Sequence, residues 1–338
     1  MNRVVGEFGL IENLARLFGP TPAEVALGIG DDGAALAAGG DRLLVLTMDT
    51  LVEGVHFDLA YISLAQLGRK SLAVNVSDIA AMGGEPAYAL LSLGWPPARK
   101  LEEALEFGEG LAAAGREFGV AVIGGDTVAS PQGLTVTLTV LGWGKPGALL
   151  RRNGARPGDQ VYVTGPLGES AAGLEVLRRG LTLNPVLAAP LIEAHLHPRP
   201  RVAAGRLLAD EGLASAAIDL SDGLAGDLNH VCRASGTGAV VLGATVPITV
   251  GVAEVARLLG ADPLTLALEG GEDYELLFTS PPERAGRLFE AFFRAGLSPP
   301  VLIGEITAGS GVTLRTSQGD REISGGGFDH FRAHRRQA

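Results

Sequence analysis

A segment rich in glycine, proline and arginine, residues 144–159, divides the sequence into two halves of similar pattern. Before it, apolar or alternating runs typical of strands are separated by amphipathic runs typical of helices, and the same mixture resumes after it. Strands mixed with helices in both halves predict an α/β (α+β) fold in which each half carries a sheet. We therefore expect two domains, residues 1–147 and 148–338, which agrees with the usual size of domains.

The composition excludes several classes of protein. Hydrophobic residues make up 46% of the chain and charged residues 19%, which favours packed cores over disorder. The net charge of −11 disfavours nucleic acids and anionic membranes as partners. No apolar run approaches the ~20 residues of a membrane helix, and the acidic N-terminus does not resemble a signal peptide. We expect a soluble cytoplasmic protein, and its single cysteine, Cys232, excludes a disulfide framework.

The stretch GIGDDGAAL, residues 28–36, has the glycine spacing of a dinucleotide-binding loop but carries two carboxylates. Asp31 and Asp32 would repel a pyrophosphate placed directly on the loop. The residues that follow, AALAAGGDRLLVL, leave no room for the long helix of a Rossmann unit. The loop suits a phosphate only if a divalent cation lies between them.

Other acids recur at the ends of predicted elements or beside glycines. Asp49 is predicted to end a strand over residues 42–50, and Asp126 follows two glycines that are predicted to turn the chain after a strand over 120–126. The remaining members of this set are Asp219, Asp222 and Glu272. Asp and Gly are ordinary turn residues, and Ser221 with Asp222 could instead begin a helix.

Asp78 is harder to explain as a turn or cap, because it lies on a predicted helix over residues 63–82 with an apolar face. A lone carboxylate on such a helix needs a partner. Taken together, the acids favour a divalent-cation site, and a set of oxygen ligands points to Mg²⁺.

Two different positions are predicted for histidines of this chain. His195 and His197, two residues apart in HLHPRP, are expected at the surface. His56 follows the strand that delivers Asp49 and is a candidate site residue. The chain has no P-loop signature and none of the protein-kinase motifs.

Eight motifs occur in order over nearly the whole chain. They are GEFGLIENLA, GIGDDGAAL, MDTLVEGVHF, LAVNVSDIAAMGG, VIGGDT, IDLSDGL, GGEDYELLFT and GGGFDHF. Together they resemble the thiamine-monophosphate kinases, a family of the aminoimidazole-ribonucleotide-synthetase-like ATP-binding superfamily. The resemblance implies phosphorylation of thiamine monophosphate to thiamine diphosphate by ATP with several Mg²⁺ ions, in a homodimer joined through the N-terminal sheets.

The resemblance also implies roles for individual residues. The implied metal ligands are Asp32, Thr47, Met48, Asp49, Asp78, Asp126, Asp219 and Asp222, among which Asp78, Asp126 and Asp222 are the catalytic candidates. The implied nucleotide contacts are Gly108, Gly125, Asp126, Arg152 and Ser221, and the implied substrate contacts are His56, Glu272 and Phe328. Met48 stands where the family often has a second threonine, so it can offer only its backbone carbonyl. Gly108 stands where some members place an aromatic side chain near the adenine.

Two alternatives remain at this point. The chain could be another ATP-using synthetase of the same superfamily, or a non-catalytic protein that binds Mg-nucleotide. Cys232 lies in mid-chain, whereas the selenophosphate-forming branch relies on an early cysteine and the hydrogenase-maturation branch on a C-terminal one. The complete set of acids favours an enzyme.

Overall fold

The computed structural model describes residues 7–18 and 21–327, and its first half is built on a six-stranded sheet. The strands follow the order β1-β2-β3-β6-β4-β5, antiparallel except for the parallel pair β4 and β5. They are β1 Val25–Leu27, β2 Ala34–Ala37, β3 Leu43–Val52, β4 Glu85–Trp95, β5 Ala121–Ala129 and β6 Thr135–Gly144. The helices of this half are α1 Glu7–Phe18, α2 Leu64–Ala81 and α3 Leu101–Phe118.

The second half is built on a seven-stranded sheet in the order β13-β12-β9-β11-β7-β10-β8. Its strands are β7 Gln160–Val163, β8 Ala216–Asp219, β9 Gly238–Leu242, β10 Leu276–Ser280, β11 Val301–Thr307, β12 Gly311–Thr316 and β13 Gly319–Glu322. Its helices are α4 Glu169–Arg179, α5 Pro185–Leu196, α6 Val202–Asp210, α7 Leu224–Ser235, α8 Val250–Leu259, α9 Pro263–Glu269 and α10 Ala285–Arg294. The α/β (α+β) prediction is confirmed, while the division after residue 147 stays a prediction.

Strand β6 and helix α2 show why the first half packs as it does. Along β6 the aliphatic residues Val136, Leu138 and Val140 are buried, and the threonines between them lie on the other face. The predicted alternation is therefore confirmed. Helix α2 is opened by a capping box between Ser63 and Gln66 and packs on this sheet.

Helix α2 also packs against the second half, where it contacts α6 and β8. It is buried around most of its circumference, and 14 of its 18 residues are buried. The core beneath it includes Leu196 and Tyr274 from the second half. Ala81, at the end of α2, belongs in turn to a core of the second half.

The opposite face of the first sheet is open in the described part of the chain. Met48 is 66% exposed there, and Tyr88 and Leu90 are each 41% exposed. Strand β5 forms the edge of the sheet, and all nine of its residues are exposed. None of the described helices is both long enough and apolar enough to cross a bilayer.

Two local predictions are wrong, and one alternative reading does not hold. Asp49 does not end a strand, because β3 continues to Val52. Asp126 does not follow a turn, because β5 runs through both glycines to Ala129 in register with β4. Ser221 does not cap α7, whose N-cap is Gly223.

Candidate active site

Three aspartates from distant parts of the chain meet in one cleft. Asp32 lies between β1 and β2, Asp78 on α2, and Asp219 at the end of β8. One carboxylate oxygen of each lies within 4.8 Å of the other two. The cleft has a volume of about 2220 Å³ and is lined by residues of both halves.

Asp78 is held by the strand beneath it. Its Oδ2 accepts a hydrogen bond from the Thr47 hydroxyl, and Asp49 lies two residues further along β3 on the same face. Asn75, one turn before Asp78, accepts a hydrogen bond from the Asp49 amide at 3.0 Å. Burial raises the pKa of Asp78 well above its usual value, with Asp49 as the next cause. Burial likewise raises the pKa of Asp49 to about 6.

Asp32 has an oxygen that nothing in the described structure satisfies. Its Oδ1 accepts hydrogen bonds from Arg152 Nε at 3.0 Å and Nη2 at 2.5 Å. Its Oδ2 is buried and has no hydrogen-bond partner among the described residues. A buried carboxylate oxygen without a partner is costly, so the site calls for a further positive group.

Asp219 and Asp222 complete the acidic wall from the second half. Ser77 on α2 donates its hydroxyl to Asp219 Oδ2 at 2.6 Å, and burial raises the pKa of Asp219 to about 8. The backbone amides of Asp222 and Gly223 both donate to Asp227 Oδ2, at 3.2 and 3.1 Å. Asp227 thus fixes the start of α7 and the position of Asp222, which lines the cleft.

The arrangement fits a hard divalent cation. Its donors are carboxylate and hydroxyl oxygens, which such cations prefer. Burial, and to a lesser degree the neighbouring carboxylates, raise the pKa values of Asp49, Asp78 and Asp219, so the ionised acids are disfavoured and a cation among them would compensate their charge.

A second polar cluster lies in the same cleft around Glu272. Lys70 Nζ is 3.0 Å from Glu272 Oε2, and His195 Nδ1 is 3.3 Å from the same oxygen. Burial alone would raise the pKa of Glu272, but the ammonium group of Lys70 holds it below its usual value. Glu272 therefore remains a carboxylate. His56, the other described substrate candidate, also lines the cleft.

Some of the predicted site residues do not line the cleft of this chain. Asp126 lies on the exposed edge strand β5, which is separated from β3 by strands β6 and β4. The residue of β5 that is aligned with Asp49 across the sheet is Gly125, one position before Asp126. Neither Asp126 nor Gly125 or Gly108 lines the cleft. Phe328 lies outside the described residues. The roles of these four residues stay predictions.

The remaining predicted residues lie at the cleft. Ser221 and Met48 both line it. The Met48 side chain lies on the opposite face of β3 from Thr47 and Asp49, so only its backbone can face the acids.

Sequence reasoning missed several residues of the site. His195 was expected at the surface but is 2% exposed, because α5 turns it inward toward Glu272 and Ser170. His197, in contrast, is partly exposed and lies 2.8 Å from Glu193. Lys70 and Ser77 were not singled out, although both lie on the helix that carries Asp78 and are seven residues apart, the spacing of one helix face.

Comparison with known proteins identifies the family of this chain. The family AIR synthase related protein matches with its N-terminal domain at residues 30–143 and its C-terminal domain at residues 156–317. A thiamine-monophosphate kinase from Salmonella typhimurium is 42% identical over 329 residues, which cover 96% of this chain and 98% of the relative.

Solved structures agree as well. The structure described as AaThiL complexed with AMPPCP and TMP has a TM-score of 0.84 at 33% identity, covering 96% of this chain and 97% of that one. Thiamine monophosphate kinase from Stenotrophomonas maltophilia has a TM-score of 0.74 at 37% identity, covering 91% and 96%. The chain therefore belongs to the AIR synthase related family and, within it, to the thiamine-monophosphate kinases.

Proposed function

We propose that this chain transfers the terminal phosphoryl group of ATP to the phosphate of thiamine monophosphate, forming thiamine diphosphate and ADP. The observation that carries the proposal is the convergence of Asp32, Asp78 and Asp219 from both halves on one cleft. The relatives named above supply the two substrates, since one of their structures is described with an ATP analogue and TMP.

The reaction requires that the two substrates be bound and aligned, and it does not require a general base. A phosphate monoester has its second pKa near 6, so the acceptor oxygen is already deprotonated at neutral pH. A covalent enzyme intermediate is not needed. Glu272, held ionised by Lys70, can balance the positive thiazolium ring or accept a hydrogen bond from the aminopyrimidine.

Mg²⁺ is the cation that we propose for the acids, with Asp32, Asp78 and Asp219 as ligands and Asp49 and Asp222 close by. When bound, Mg²⁺ would neutralise charge on the phosphates and favour in-line transfer. Arg152 uses Nε and Nη2 on Asp32 and keeps further N–H groups that can donate to phosphate oxygens.

The direct test is an assay of the purified chain with ATP, thiamine monophosphate and Mg²⁺. Chromatography should show thiamine diphosphate and ADP in equal amounts, and a chelator should stop both. ADP release with no thiamine diphosphate would favour another synthetase of the superfamily. Tight binding of Mg-ATP with no turnover would favour a non-catalytic nucleotide-binding protein.

Mg²⁺ should stabilise the protein more at alkaline than at neutral pH. The pKa of Asp49 is raised to about 6 and that of Asp219 to about 8, chiefly by burial. Their ordinary value is about 4, so their contribution to stability is full below about pH 4 and is lost as pH rises through 6 and 8. Metal that takes the place of these protons restores it. Thermal unfolding at about pH 6.5 and 8.5, with and without Mg²⁺, measures this.

Other buried titratable groups also change the stability of the protein with pH, so the effect of Mg²⁺ has to be compared at each pH. The pKa values of His195 and His230 are lowered to about 4 by burial. Their contribution to stability therefore grows as pH rises from about 4 to 6.5 and stays constant above that. Asp273 has a pKa raised to about 8 by burial, but its carboxylate accepts hydrogen bonds from the backbone amides of Gly168 and Ser170 at the start of α4 and does not belong to the triad. The quantity compared is therefore the increase in Tm on adding Mg²⁺, with NaCl at equal ionic strength as the control. An increase of the same size at both pH values would show that the cation does not replace protons on Asp49 and Asp219.

We also propose a homodimer joined through the first sheet. The open sheet face and the exposed edge strand β5 leave apolar side chains uncovered, including Ile123 at 60% exposure. Such a face with an unpaired edge is suited to a second copy. Light scattering at micromolar concentration should give a dimer, and Ile123→Glu should give a monomer. Val186→Glu, at a more exposed valine on α5, should remain dimeric. A wild-type monomer with full activity would contradict the proposal.

A further inference from the structure

We propose that Lys70 is a positioning residue, which holds the Glu272 carboxylate in place and thereby sets the affinity for thiamine monophosphate. This inference rests on the proposed function, because it takes Glu272 as a substrate contact. It concerns a residue on α2 that does not itself need to touch the substrate.

The first support is the burial of Lys70. The residue is 0% exposed, whereas Lys100 and Lys145 are both at the surface. Removing an ammonium group from water is expensive unless a counter-charge compensates it. Glu272 Oε2 supplies that charge at 3.0 Å, across 202 residues of sequence.

The second support is that His195, the histidine paired with Glu272, does not supply the positive charge. His195 Nδ1 lies 3.3 Å from the same oxygen and 3.1 Å from the Ser170 hydroxyl. Burial, and then Lys70, lower the pKa of His195 to about 4, so it is neutral at physiological pH. His195 Nδ1 is hydrogen-bonded with the Ser170 hydroxyl, and Lys70 provides the hydrogen bond and the charge at Glu272 Oε2.

The third support is the backbone that carries Glu272. Its φ of 66° lies in the left-handed region, which non-glycine residues rarely adopt. The Glu272 amide donates to the Ser221 carbonyl at 2.8 Å, and a Cβ added at Gly271 would collide with that same carbonyl oxygen. The loop is thus pressed onto the segment of Ser221 and Asp222. Such strained residues persist where the surrounding structure fixes them. The backbone of Glu272 is fixed by Ser221, and its side chain is fixed by Lys70.

The fourth support is the geometry of α2. Lys70 contacts Glu272, and Ser77, two helical turns later on the same face, donates to Asp219. The helix therefore fixes two acids of the second half at a spacing of roughly 10 Å along its axis. One of them belongs to the metal triad and the other to the substrate candidates. Lys70 sets the position of the Glu272 carboxylate, the proposed substrate contact, relative to the acids proposed to hold the cation, and in-line transfer requires such alignment.

Steady-state kinetics of Lys70→Met test the inference. The KM for thiamine monophosphate should rise by about 10- to 100-fold, by analogy with the loss found when a group that orients a metal ligand is removed. The KM for ATP should change by less than about twofold, because the acids and Arg152 are untouched. Lys70→Arg should restore part of the affinity. Lys145→Met, which removes a surface lysine paired with Asp210, is the control and should behave as the wild type.

A double-mutant cycle separates positioning from a general structural role. If Lys70 acts through Glu272, then Lys70→Met should add little to Glu272→Gln, so the two effects should be far from multiplicative. Multiplicative effects would overturn the inference, as would an unchanged KM in Lys70→Met together with a lower Tm. If Lys70→Met does not fold, an unchanged KM in Glu272→Gln would overturn it equally. Failure of the wild type to phosphorylate thiamine monophosphate would instead count against the proposed function.

Discussion

Asp78→Asn is expected to leave a folded protein whose kcat is lower by about 100- to 1000-fold, the loss typical of removing one preorganised electrostatic group. Asparagine has nearly the shape of aspartate and can still accept the hydrogen bond from Thr47. It lacks the negative charge with which Asp78 completes the triad of Asp32 and Asp219. The measurement is the specific activity of the folded fraction, with thiamine monophosphate and ATP both saturating.

The stability of the same variant distinguishes a functional carboxylate from a structural one. Burial and the neighbouring acids disfavour the ionised form of Asp78. Without metal at about pH 8, Asp78→Asn should therefore melt no lower than the wild type, and Mg²⁺ should raise its Tm much less. Asp210→Asn, which removes an exposed carboxylate, serves as the control. A variant that is less stable yet retains normal turnover in its folded fraction would show that Asp78 has only a structural role.

Gly110→Ala is expected to lower the free energy of unfolding by about 3 kcal/mol or more, at the upper end of overpacking effects. Helix α3 crosses α2 at this glycine, and a Cβ there would collide with the carbonyl group of Ala65. Because the obstacle is backbone, the two helices must separate to make room. Urea unfolding measures the change.

Gly108→Ala is the matched control on the same helix. A Cβ at Gly108 meets no described atom within 4 Å, so the change should raise stability by up to about 1 kcal/mol through helix propensity. Equal effects of the two substitutions would contradict the close approach of α2 and α3. The KM for ATP of Gly108→Ala also tests whether this position lies near the nucleotide.

Much of the architecture was predictable because local pattern and tertiary packing agree. The amphipathic run that predicted α2 carries its apolar face onto the alternating strand β6. Asp78 was predicted as a functional residue from the same pattern, since a carboxylate on an apolar face demands a partner. That partner is a site assembled from three distant segments.

The wrong predictions share a physical cause, which is that contacts from distant strands or helices override local signals. The glycines before Asp126 suggested a turn, yet a Cβ at Gly125 would collide with the Leu91 carbonyl of the neighbouring strand. Gly125 therefore allows the close pairing of β5 with β4. His195 lies between prolines and looks exposed, until α5 packs it against Glu272. Lys70 could not be recognised from sequence, because lysines are rarely buried and its partner lies 202 residues away.

The burial of α2 on both sides has a consequence for cooperativity. The core of the first half includes Leu196 and Tyr274, and a core of the second half includes Ala81. Separating the halves would expose apolar surface on each, so neither sheet keeps a complete core without the other. The segment at residues 144–159 marks where the chain passes from one sheet to the next, but the free energy of unfolding belongs to both sheets together.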